Sequence, residues 1–175
     1  AWREVDHALI ELRFNEPDLG LIIVKSEGNK DHILAVDEGL SAGKNHWFVN
    51  EVLAHLRRVL RRLDQTARSF FCLVEPGSCF AGHLFETALA SDRIYMLDDP
   101  ENPVDIQLGK LNFGALPMDH GPTRLAVRFY GEPDQLTKLI DMRDPIDTGT
   151  AVENGLVTVA PDDIDWEDDV RIAIE

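Results

Sequence analysis

Between Val49 and Leu63 the apolar residues Val49, Val52, Leu53, Leu56, Val59, Leu60 and Leu63 fall at i, i+3, i+4, i+7, i+10, i+11 and i+14. That spacing predicts one amphipathic helix beginning near Asn45. Arg57, Arg58, Arg61 and Arg62 lie toward its other side and are expected to be solvated. Upstream the pattern is different. HALIELRF (7–14), LGLIIVKS (19–26) and HILAVD (32–37) read as three strands, the first two joined by Asn-Glu-Pro-Asp turn chemistry. Downstream, SFFCLV (69–74) predicts a buried strand, Gly82 to Ala90 a helix and DRIYML (92–97) another strand. IQLGKLNFGALPMDHGP (106–122) breaks its short apolar pieces with glycine and proline, as irregular site walls do. PTRLAVRFYG (122–131) restarts a helix with Pro122 near its first turn and Gly131 past its end. TAVENGLVTVAP (150–161) closes a helix at Asn154-Gly155 and starts a short strand, and WEDDVRIAIE reads as an amphipathic helix. The order is α/β with an antiparallel start, without internal repeats.

At 175 residues and 44% apolar content the chain suits a single domain, residues 1–175, with a sizeable core. The net charge of -15 opposes phosphate backbones and anionic lipid, so nucleic acid and membrane are not expected as partners, and a polyanionic ligand would need a local field opposing the global one. Seven acidic residues and one arginine in 161–175 read as a solvated face. Two cysteines, Cys72 and Cys79, are too few for a disulfide framework and fit a reducing cytoplasm. The chain opens on Ala1, without the features of a signal peptide, and stops at Glu175 inside a helical pattern. It reads as a piece of a longer polypeptide.

The chemistry concentrates at EPGSCFAG (75–82), a small-residue turn between a strand and a helix. That layout brings backbone N–H groups close to a negative group. Cys79 reads as a lowered thiolate or as a packed small residue. His83, His120, Asp119 and Cys79 form no C-x-x-C or H-x-x-x-H pair and are not expected to hold a metal, and Trp2, Trp47 and Trp166 read as packing anchors.

FCLVEPGSCFAGHLFETALASDRIYML resembles the central segment of the crotonase (enoyl-CoA hydratase/isomerase) superfamily, with Glu86, Ala88, Ala90 and Asp92 on its helix pattern. LNFGALPMDHGPTRLAVRFYG is similar to a later family stretch through Gly114, Pro117, Gly121 and Arg124-Leu125, and TAVENGLVTVAP to a third. Within the superfamily, NHWFVNE, VEPGSCFAGHLFE, LNFGALPMDHG and APDDIDWEDDVRIAIE resemble the second half of the benzoyl-CoA-dihydrodiol lyase family, long chains with two crotonase-like halves.

The resemblance implies a crotonase-like spiral of ββα units, truncated at the C-terminal helices, and an acyl-CoA thioester ligand held by two backbone N–H groups. Aligned on Glu86, one donor falls at His83, next to Gly82, where the family usually has glycine. The other falls at Ala42 in SAGKN, which also reads as an ordinary turn. Glu86 stands at the family's first catalytic carboxylate, or complements the helix dipole. The second carboxylate position holds Lys110, which reverses the charge and could pair with Glu86.

Three readings follow. The chain is a structural or assembly half of a lyase that cleaves the oxygenated ring of benzoyl-CoA in aerobic benzoate degradation, inactive on its own. Alternatively it is a stand-alone hydratase or isomerase using Glu86. Alternatively it is a non-catalytic acyl-CoA binding module. Each needs no cofactor beyond coenzyme A as part of the substrate and implies a homo-oligomer, or contact with the rest of a longer chain.

Overall fold

The computed structural model describes residues 1–175. Its longest element is the helix the pattern predicts, α3 (Trp47–Asp64), which buries Leu53, Leu56, Val59, Leu60 and Leu63. Full burial of such side chains contributes about 1.5–3 kcal/mol each relative to exposure. Three of its four arginines are not free in solvent, contrary to expectation. Arg57 Nε donates to Ala115 O at 2.8 Å, Arg61 Nε to Pro117 O at 3.3 Å, and Arg62 pairs with Asp6. Only Arg58 is classed as exposed.

The N-terminal part corrects the sequence reading most. Residues 7–14 belong to helix α1 (Trp2–Asn15), and 32–37 to helix α2 (Lys30–Ala42); of the three expected strands only β1 (Leu21–Val24) forms. Val5, Leu9 and Leu12 recur at i, i+4 and i+7, so one face of α1 covers Ile22, Val24 and Phe70. α2 starts where the Asn29 side chain accepts from the Asp31 and His32 N–H groups, at 2.7 and 3.4 Å.

β1, β2 (Ser69–Val74) and β3 (Arg93–Met96) form a parallel sheet in the order β1-β2-β3, with Leu21 opposite Ser69 and Phe71 opposite Arg93. The start is therefore parallel, as helical crossovers between strands require. Helix α4 (Gly82–Leu89) follows β2 and is buried at every residue but Leu84. β4 (Asp105–Ile106) and β5 (Ile146–Asp147) make a separate antiparallel pair, and Lys110–Asn112 form one 3-10 turn. α5 (Arg124–Arg128) is capped by Thr123, whose Oγ1 accepts from Ala126 N at 3.1 Å. α6 (Pro133–Asp141) went unread in the sequence. α7 (Thr148–Glu153) ends at Asn154 as expected, and the strand after it is reduced to a bridge between Val159 and Tyr95. α8 (Trp166–Ile174) has no buried residue, and its acidic side chains are solvated.

The main core gathers Cys72, Val74, Phe80, Phe85, Ile94, Met96, Ile106 and Leu125 around α4, with Trp166 packed against it. Trp2 bridges two smaller clusters under α3, but Trp47 is 71% exposed and anchors nothing in the core.

Candidate functional site

Several backbone donors of the turn between β2 and α4 are occupied. Ser78 Oγ accepts from Glu75 N at 3.0 Å, Ser26 Oγ accepts from Cys79 N at 3.0 Å, and Gln107 O accepts from Gly82 N at 2.9 Å. His83 N, at the expected oxyanion position in the first turn of α4, donates to Asp37 Oδ2 at 3.0 Å. The other Asp37 oxygen is hydrogen-bonded to His83 Nδ1. Asp37 comes from α2 and is 2% exposed; His83 is 7% exposed. The negative group at this helix N-terminus is thus the chain's own carboxylate, complementing the partial positive charge of the helix end.

Two glycines make room for it. A Cβ on Gly82 (φ +44°) would overlap the Asp37 carboxylate, and one on Gly109 would stand 2.8 Å from Asp37 Oδ2 and 2.9 Å from the Gly82 Cα. The Trp2 ring tilts over the His83 imidazole with centroids 5.8 Å apart.

Glu86 lies one helical turn on from His83 and is fully buried. Its Oε1 accepts from Asn112 Nδ2 at 2.7 Å, and its Oε2 accepts from Arg124 Nη1 at 2.8 Å. Arg124 then grips Asp64 with both prongs, Nε to Oδ1 at 2.9 Å and Nη2 to Oδ2 at 2.6 Å. Asn112 is fixed in turn, donating to Gly82 O at 2.9 Å and accepting from Gly109 N at 2.8 Å. Burial raises the Glu86 carboxyl above its ordinary range; Arg124 and Asn112 pull it back, and Asp64 adds a further upward push. Burial is the dominant cause, and the second carboxylate on the same guanidinium adds to it.

The pairing of Glu86 with Lys110 that the sequence allows is not formed. Lys110 Nζ pairs with Glu38 Oε2 at 2.7 Å, on side chains 58% and 60% exposed, because the 3-10 turn at Lys110–Asn112 sends Asn112, rather than Lys110, to Glu86. Ala42 is an exposed residue ending α2, not part of a turn facing the cradle, and the α2 residue that reaches His83 N is Asp37. Cys79 is buried against the Ser26 and Gly28 turn, and burial pushes the Cys72 thiol up. No three His, Cys, Asp or Glu side chains gather in a metal-ligating group. Asp37, Asp64 and Arg124 went unread as site residues. For Asp37 the signal was an acid on the inward face Ile33, Leu34, Asp37, Leu40 of a helix read as a strand.

No family model matches the sequence. The chain is 44% identical over 174 residues to the benzoyl-CoA-dihydrodiol lyase of Aromatoleum evansii, covering 99% of this chain and 31% of that protein. It therefore spans about a third of that relative's length. Among solved structures it superimposes on an enoyl-CoA hydratase of Bacillus anthracis with a TM-score of 0.66 and 16% identity, covering 99% of this chain and 64% of that one. An enoyl-CoA hydratase/isomerase of Xanthobacter autotrophicus gives 0.64 at 20% identity, with 99% and 61% covered. The chain carries a truncated crotonase-like fold and, over nearly its whole length, is similar in sequence to a segment of that lyase.

Proposed function

We propose that this chain is the structural, second crotonase-like half of a lyase that opens the oxygenated ring of a benzoyl-CoA derivative in the cytoplasm, with the reacting thioester handled elsewhere in the polypeptide. One observation carries the reading: the Asp37 carboxylate fills the N–H cradle where a thioester oxyanion would lie. An oxyanion hole works because its preorganised donors wait unpaired for charge that develops in the transition state. Here the His83 N–H already holds a permanent charge, and a second anion at the same point would meet like-charge repulsion.

Glu86 supports the same conclusion. A general base needs a lone pair within reach of the substrate proton, and both Glu86 oxygens accept hydrogen bonds inside a fully buried network. His83, Gly82 and Glu86 keep the family's positions and serve packing, and Lys110 is an exposed partner of Glu38. Exposed Tyr130 (91%) and Ile164 (82%) fit contact with the rest of the polypeptide or a second copy. No helix is long and apolar enough to cross a membrane.

The test is made in the full-length lyase with Glu86→Gln and, separately, Asp37→Asn. The expected result is unchanged kcat on the coenzyme A substrate, with altered stability or assembly. A loss of kcat of about a hundredfold in a folded, normally assembled variant would place catalysis at this site and overturn the reading.

A further inference from the structure

A second site lies on the opposite side of α3 from its buried stripe and shares no lining residue with the cradle. Arg13 of α1 and Arg57, Arg58, Arg61 and Arg62 of α3 line a groove of about 680 Å³, with Asp119 the only acidic side chain. The chain has 32 acidic and 17 basic residues, so five cations against two carboxylates, Asp119 in the lining and Asp6 on Arg62, reverse the charge of the whole molecule locally.

The guanidinium groups are positioned but not neutralised. Only Arg62 pairs with a carboxylate, that of Asp6. Arg57 and Arg61 each spend Nε on a backbone carbonyl, which fixes the planar head and leaves its terminal N–H groups to the groove. Arg13 rests on Thr66 Oγ1 through Nη2 at 3.2 Å, and Arg58 on His55 Nδ1 at 2.9 Å. Unpaired forks held in place match phosphate oxygens bidentately.

We infer that this groove binds a small, multiply phosphorylated anion of the pyrophosphate or nucleoside diphosphate class. Its volume falls within the range of roughly 300–1,000 Å³ typical of small-molecule sites. A long polyanion would leave the groove and meet a surface of net negative charge. A protein partner would want buried apolar anchors, and Ala54 is the only apolar residue lining the groove. The inference does not depend on where the lyase reaction takes place.

The experiment is calorimetric titration of the full-length protein with inorganic pyrophosphate at low ionic strength, beside inorganic phosphate and a peptide of the sequence 161–175. Saturable pyrophosphate binding is expected, stronger than that of phosphate, weakened by added salt, and reduced at least about tenfold in Arg57→Gln/Arg58→Gln/Arg61→Gln. Should the triple variant misfold, Arg13→Gln/Arg58→Gln, which breaks no backbone anchor, decides the matter with a several-fold loss. The site is refuted if no saturable pyrophosphate binding occurs, if binding is equal in wild type and variants, or if only the acidic peptide binds.

Discussion

Asp37 and His83 are joined twice, once through the His83 backbone N–H and once through its imidazole Nδ1, and both residues are buried. Removing the carboxylate leaves a buried N–H and an imidazole without their acceptor. Asp37→Ala is expected to destabilise the fold by about 3–5 kcal/mol, read as a lower urea midpoint at constant slope. Asp37→Asn keeps one acceptor oxygen and should cost about 1–2 kcal/mol.

Gly82 and Asp37 compete for one volume, so their substitutions should not add. Gly82→Ala places a methyl group into the carboxylate on a backbone with φ +44°, and is expected to be severely destabilising alone. In an Asp37→Gly background only the backbone strain remains. A double-mutant cycle should return a coupling of about 1–3 kcal/mol; simple additivity would show that the two residues do not share the space.

The spiral fold was legible where local pattern and burial agree. The stripe from Val49 to Leu63, the buried run SFFCLV and the helix after Gly82 all formed as read. HALIELRF and HILAVD misled because each is a short apolar run consistent with either period; Leu9 and Leu12, and the Asn29 cap, decided for helix. The site was half legible. The turn and Glu86 stood out locally, whereas their occupants, Asp37 at a separation of 46 residues and Arg124 at 38, are tertiary partners that no short spacing encodes.

Arg124 bridges Asp64 and Glu86 with all three side chains nearly withdrawn from water. Arg124→Met would strand two buried carboxylates and cost about 3–5 kcal/mol. Adding Glu86→Gln to that background should recover part of the loss, because one of the stranded charges is removed. Chemical denaturation of the single and double variants checks this.

Glu86 also gives the fold a pH signature. Its carboxyl is raised above the ordinary value of 4.5, so the folded state binds the proton more tightly than the unfolded state. The contribution to stability is fully present below the unfolded value and is lost as pH rises through the folded one. Relative to Glu86→Gln, the wild type should therefore gain stability on acidification from neutral pH toward 4.5. An unchanged difference between the two proteins from pH 8 to pH 5 would show that Glu86 does not titrate there.

Lys110 supplies the contrasting case. Its pairing with Glu38 is solvent-exposed, so Lys110→Glu should alter stability by only about 0.5 kcal/mol. It should also create no hydratase activity, because Glu86 remains locked to Arg124. Enoyl-CoA hydration measured on the variant checks both expectations.

The filled cradle carries a consequence for how such a domain ages under mutation. In a working acyl-transfer site, aligned backbone dipoles are a strain carried by the resting protein and relieved only while substrate passes through. Here the dipoles are met by Asp37, so under the proposed structural role Gly82, Gly109 and the helix start would matter through folding. What the structure shows is a clasp between α2 and α4, whose removal would be read first in a melting temperature.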